Sequence, residues 1–152
     1  MVCIMNPSNT SKLLVAYPLL YRNLREWRFE CGNGWFNLVW QLSADVEAAA
    51  RIEGIPETAE SWPSVTILKQ KCGALRVQFE GSVGEPIRAL ANKAGERSIE
   101  TCESCGASAK VENHGKWVKA LCEKCQNKQP SPQQPQDQSR PLPFWMLERN
   151  NR

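Results

Sequence analysis

Histidine is almost missing from this chain: His114 is the only one in 152 residues. A Cys–His nucleophile–base pair would have to join it to Cys31 or Cys72, and His114 falls at an expected hairpin tip, where it reads as a turn residue. Carboxylates are scattered, with no pair at a telling spacing, so no catalytic constellation stands out. No stretch approaches eighteen continuous apolar residues, which argues against a helical membrane span. Leu13 to Leu20 is apolar but short, is interrupted by Pro18, and lacks a small-residue cleavage site, so it does not read as a signal peptide. A strong excess of one charge is missing too. Lys plus Arg number 19 and Asp plus Glu 16, a formal balance of +3. Four zinc-bound thiolates would lower that to roughly +1. Global charge is therefore no argument for nucleic-acid binding; any such argument must be local. No internal repeat is apparent.

Cysteine is what the chain has in quantity, with seven. A disulfide scaffold does not fit, because the number is odd and four of the seven stand at metal spacing. Cys102-Glu-Ser-Cys105 and Cys122-Glu-Lys-Cys125 are two C-x-x-C pairs separated by sixteen residues, the pattern of a four-thiolate zinc site. Such a closed site has no open position for water or substrate, so one structural Zn2+ is expected. The reducing cytoplasm is the natural compartment, with Cys3, Cys31 and Cys72 as free thiols.

The fold class expected is α+β: a small helical and β-hairpin domain over residues 1–100, a C-terminal four-cysteine zinc ribbon over 101–126, a disordered linker over 127–143 and an apolar anchor over 144–152. The first ten residues read as an irregular lead. Pro18 suits a first helical turn, with Leu19, Leu20, Leu24 and Trp27 sharing one face to about Phe29. Trp35, Leu38, Val39, Leu42, Val46 and Ala49 follow helical spacing, and Gly54 and Pro56 end that helix. Val65–Lys71 and Leu75–Glu80 read as a hairpin around Cys72-Gly73-Ala74. Glu85-Pro86 opens a helix towards Ser98. Ala109–Glu112 and Lys116–Leu121 read as the strands of the ribbon. From Gln126 to Pro143, eleven of eighteen residues are Gln or Pro, too few apolar groups to offset chain entropy.

Three further features are candidate sites. Gly32, Asn33 and Gly34 form a turn before a helix, where free N–H groups can face an anion; the plain alternative is a glycine-permitted turn, with Gly32 or Gly34 at positive φ and Trp35 as a core anchor. Lys69, Lys71 and Arg76 lie within eight residues with no acid among them, and suit phosphate or an acidic protein if they share a face; the alternative is a solvated sheet face. Phe144, Trp145, Met146 and Leu147 stand behind the linker as an apolar anchor, for this chain's own domain or for a partner.

Taken together, Cys31-Gly-Asn-Gly-Trp35, Lys69-Gln-Lys-Cys-Gly-Ala-Leu-Arg76, Cys102-Glu-Ser-Cys-Gly106 and Trp117-Val-Lys-Ala-Leu-Cys-Glu-Lys-Cys125 resemble a family of small uncharacterised proteins encoded mostly by bacteriophages and prophages. The resemblance covers roughly residues 17–126. Asn33 departs from an acidic residue of that pattern and Ala74 from a glycine. An amide takes no proton at neutral pH, so a general-base role for that acid would not carry over to Asn33. The setting this implies is a mobile element inside a bacterium. The expected function is a zinc-ribbon protein that binds and inhibits a host protein or ribonucleoprotein complex, such as a CRISPR or other defence system. The alternatives are a DNA- or RNA-binding accessory protein, and an enzyme with its site at Gly32-Asn33-Gly34.

Overall fold

The computed structural model describes residues 3–114 and 117–128. Its first helix, α1, spans Pro7–Ala16. This overturns the expected irregular lead. Asn6 is the N-cap, its side chain accepting from Asn9 N at 2.8 Å, and Pro7 occupies the first turn, where its missing N–H costs nothing. Pro18 ends this helix instead of starting another. It drives Tyr17 out of the helical region, to φ −129°, and the chain continues through turns to a 3-10 turn at Arg25–Trp27. Trp27, expected on a core-facing helical stripe, is 55% exposed.

A second 3-10 turn, Asn33–Trp35, leads into α2, Phe36–Ile52, which buries Leu38, Val39, Leu42 and Val46 as its apolar spacing requires. Strands β1 (Val65–Lys71) and β2 (Ala74–Phe79) pair antiparallel with Lys71 opposite Ala74. The two-residue connection has Cys72 at φ 53° and Gly73 at φ 82°. Positive φ at both positions marks a type I′ hairpin turn, whose twist matches the strands. A bulge between Val65 and Ile67 shifts the register, so Val65 joins Leu68 and Leu75 in the core while Lys69 and Lys71 turn outward. Glu30 bridges Lys69 in parallel, which adds a short third segment to the β1 edge.

Helix α3, Glu85–Ser98, packs on α2 and β2, burying Ile87 and Ala94. Ser98 Oγ lies 2.8 Å from Leu75 N, so α3 satisfies a donor on the outer edge of β2. Strands β3 (Lys110–His114) and β4 (Trp117–Leu121) form a second antiparallel pair. Helix α4, Glu123–Lys128, departs from the expectation: it runs into the segment read as linker. The rest of that linker and the anchor with Phe144 and Trp145 lie outside the described residues. Among those described, no helix is long and apolar enough to cross a membrane.

One apolar core joins α1, α2, α3 and the two hairpins, and a second, smaller cluster holds Cys102, Leu121 and Cys125. In the core, Trp35, Trp62, Tyr21, Phe29 and Leu68 are nearly inaccessible, and Ala120 of β4 belongs with them. Where these aromatics carry polar atoms, partners meet them: Trp62 Nε1 donates to Glu47 at 2.8 Å, and Tyr21 and Ser43 share a hydroxyl–hydroxyl bond.

Candidate metal centre and its socket

Cys102 and Cys105 sit on a tight turn that Gly106 closes, with φ +83° and a bond from Gly106 N to Cys102 O at 2.8 Å. Cys102 N in turn reaches Ala107 O at 2.7 Å. The second pair is built differently. Cys122 precedes α4 and Cys125 lies within it, with Gln126 N bonded to Cys122 O at 2.9 Å. The chain continues as helix after Cys125, so no left-handed residue is needed, which accounts for Gln126 where the first pair has a glycine.

The β3–β4 pair carries these two turns together. The four sulfurs all lie within 4.8 Å of one another, and Cys105 Sγ is 3.5 Å from Cys122 Sγ. Tetrahedral ligation at a zinc–sulfur distance of about 2.3 Å needs sulfurs roughly 3.8 Å apart, so the cluster can hold one metal ion with only small adjustment. Burial opposes ionisation of Cys102, yet the backbone N–H groups of Cys122, Cys105 and Ser104 bring its pKa down to about 7. Hydrogen bonding with Cys122, then burial, pushes Cys125 up to about 12. Cys102 thus gives up its proton to a metal more readily than Cys125 does.

The Gly32–Trp35 turn is the receptacle for the first cysteine turn. Gly34 N donates to Glu103 O at 2.7 Å, Gly32 N donates to Glu103 Oε1 at 3.0 Å, and the Trp35 indole donates to Thr101 O at 2.8 Å. From the other side, Glu103 N bonds Ala120 O on β4 at 2.8 Å. The acceptors that these two glycine N–H groups meet therefore belong to this chain's own Glu103, its carboxyl for Gly32 and its backbone carbonyl for Gly34. Glu103 is 2% exposed. Burial raises its pKa, against opposing pulls from Gly32 N–H and the Lys119 charge. Among the described residues its Oε2 has no hydrogen-bond partner.

The glycines are there for close approach, which corrects the expected positive φ. Gly32 has φ −73°, and Gly34 is not left-handed. A Cβ on Gly32 would come within 2.3 Å of Glu103 O; one on Gly34 would meet Cys102 O at 2.2 Å and Gly106 N at 2.6 Å. Trp35 has its ring in the core at 0% exposure. Asn33 faces away from the receptacle, its Oδ1 accepting from Asn6 N at 2.8 Å. The β1–β2 turn makes a second contact with the ribbon. The hydrogen side of Gly73 faces Val111, where a Cβ would meet Cγ1 at 2.7 Å, and Gln70 Nε2 donates to Val118 O at 2.6 Å.

Lys69, Lys71 and Arg76 do come together. Lys69 is the direct cross-strand partner of Arg76, and Lys71 lies two residues along, so all three project from one face of the sheet. Among the described residues none of the three forms an ion pair. They border an open groove of about 630 Å³ between this face and α3, with Gln78, Asn92 and Glu96 also on its walls. Glu103 is the residue that sequence reasoning passed over. Its position inside the first C-x-x-C is visible in the chain, but nothing local marks it as buried. Comparison with known protein families, with curated proteins and with solved structures finds no match to this chain.

Proposed function

We propose that this chain is a bacteriophage or mobile-element protein that holds one structural zinc and acts by binding. In this reading it docks on a macromolecule of its bacterial host, a protein or ribonucleoprotein complex in the cytoplasm, and blocks it, as an anti-CRISPR or other anti-defence factor does. The mobile-element setting rests on the motif resemblance. The observation that carries the binding surface is the register that sets Lys69 directly opposite Arg76, with neither in an ion pair among the described residues. Like charges opposed across a ladder destabilise a sheet, and an anionic partner relieves them. Zinc is favoured at the cysteines because an all-thiolate tetrahedral set suits it, and it leaves no site for substrate. Phe144 and Trp145 remain a second partner-binding element on sequence grounds alone.

An enzyme at Gly32-Asn33-Gly34 gains no support, since both turn N–H donors are spent on Glu103. A DNA- or RNA-binding accessory role is the second reading, and the same three cations support it. The test is affinity capture from bacterial lysate with the wild-type chain and with Lys69→Glu/Lys71→Glu/Arg76→Glu, each with and without nuclease. A specific partner that the wild type retains and the variant loses supports the proposal. Equal capture by both removes this face from it.

A further inference from the structure

The two cysteine turns are unequally open to solvent. In the first, Cys102 is buried and Cys105 exposed; in the second, Cys125 is buried and Cys122 half-buried. The open pair therefore takes one cysteine from each turn. Its two sulfurs, Cys105 Sγ and Cys122 Sγ, lie 3.5 Å apart. Cys122 also stands in the wall of an open cleft of about 370 Å³, together with Ser108, Lys110 and Gln126, so a small polar molecule can reach that side of the pair.

The buried pair is held in place. Glu103, next to Cys102, is pinned three ways: its backbone carbonyl accepts from Gly34 N, its carboxyl accepts from Gly32 N, and its own N–H donates to Ala120 O. Cys102 N bonds Ala107 O at 2.7 Å, and backbone N–H groups of Cys122, Cys105 and Ser104 reach its sulfur. Cys125 is fixed by its place within α4. Ser104, Cys105 and Gly106 are all exposed, so the end of the first turn that carries Cys105 is the end free to move. A disulfide inside either C-x-x-C would need a sulfur that the Glu103 clamp or the helix holds. One between Cys105 and Cys122 needs only a small closure of the exposed turn.

The geometry points to a peroxide-sensitive modification site in which Cys105 is oxidised and Cys122 resolves it, so that one disulfide between the two turns takes the place of the metal. This goes beyond docking and rests only on the metal reading of the four cysteines. Thiolate character and exposure together set susceptibility to oxidation; metal ligation supplies the first, and the outer position of Cys105 the second. The Cys105 thiolate attacks one peroxide oxygen and breaks the O–O bond, giving a sulfenic acid and hydroxide. The Cys122 thiolate then attacks the Cys105 sulfur, forming the S–S bond and expelling the sulfenic oxygen as a second hydroxide. Two electrons pass from the sulfur pair to the peroxide, and each hydroxide takes a proton from solvent to become water. The step withdraws two of four thiolates, and the two left are too few to retain zinc. Cys3 and Cys72 are exposed as well but stand outside the cluster.

The experiment treats the full zinc-loaded chain with hydrogen peroxide, in a Cys3→Ser/Cys72→Asn background that leaves the cluster intact. A chromogenic chelator reads released zinc, and mass spectrometry of the alkylated digest reads which cysteines are joined. The expected result is loss of the zinc in step with a disulfide between Cys105 and Cys122, while Cys102 and Cys125 are recovered as thiols. Dithiothreitol with added zinc should reverse both changes. Cys105→His, which keeps a three-cysteine, one-histidine zinc set, should release zinc about tenfold more slowly. A main product joining Cys102 to Cys105 or Cys122 to Cys125 overturns the assignment. So does zinc kept under excess peroxide with no disulfide at the cluster, or release from Cys105→His at the unsubstituted rate. Should the histidine variant take up no zinc, the disulfide map of the unsubstituted cluster decides alone. A starting protein that holds no zinc overturns the metal reading and this assignment with it, whereas the other failures leave the metal reading standing.

Discussion

Gly34→Ala is the substitution for which the geometry makes the sharpest forecast. The added Cβ would lie 2.2 Å from Cys102 O, 2.6 Å from Gly106 N and 2.7 Å from Cys105 N. All three are backbone atoms of one tight turn, so no side chain can swing aside. The turn and its receptacle must separate by about 1 Å, judging from ordinary contact distances of roughly 3.5 Å or more. That stretches the bond from Gly34 N to Glu103 O, worth about 1 kcal/mol, and strains those from Gly32 N and the Trp35 indole. Overpacking adds roughly 1–3 kcal/mol. A total loss of about 3 kcal/mol would lower the melting midpoint by roughly 10 °C. Gly81→Ala is the control. Gly81 has φ +65° but nothing within 4 Å of its Cβ direction, so it reports conformational strain alone, about 1 kcal/mol. Urea and thermal unfolding of the two variants, with metal retention against a competing chelator, measures the difference. A Gly34→Ala protein as stable and metal-retentive as Gly81→Ala would refute the packing of the cysteine turn against Gly32–Trp35.

Glu103→Ala should cost about 2–4 kcal/mol in urea unfolding, because Gly32 N–H is left buried without an acceptor; Glu103→Gln, which keeps a carbonyl oxygen at that point, should cost less. An alanine variant no less stable than the glutamine variant would contradict the role given to Oε1. Cys72→Asn should stabilise by a few tenths to about 1 kcal/mol, since Cys72 is exposed at φ 53° and Asn tolerates that region; a drop in denaturation midpoint would count against the turn assignment. Gly73→Ala should do the opposite, losing about 1–3 kcal/mol through its left-handed φ and the 2.7 Å approach to Val111. Cys102→Ser should abolish metal binding and loosen the β3–β4 region, seen as faster amide exchange there; unchanged protection would separate the metal from the fold.

The parts of this fold that are legible in the chain are those with strong local periodicity. The α2 stripe from Leu38 to Val46, the alternation of Leu75, Val77 and Phe79, and the Pro86-led start of α3 each carry their own pattern. The C-x-x-C spacing likewise carries the cysteine cluster. The N-terminus is harder to read because two prolines compete as helix starts. Pro7 behind Asn6 has the cap that decides such contests, and Pro18 does not. The role of Gly32 and Gly34 is hidden for a different reason. A glycine needed for φ and a glycine needed for close approach look the same in a chain, and what approaches here lies 71 residues from Gly32, at Glu103. Burial of Glu103 is invisible for the same reason, since a carboxylate between two cysteines reads as a solvated turn. The shared face of Lys69, Lys71 and Arg76 follows from spacing only once the two-residue turn sets the register.

The account depends on the four sulfurs sharing one metal, and X-ray absorption at the zinc edge tests that most directly. For protein purified from cells without added metal, it predicts one zinc per chain surrounded by four sulfur atoms at about 2.3 Å. An absence of zinc, or a first shell containing nitrogen or oxygen, would contradict it.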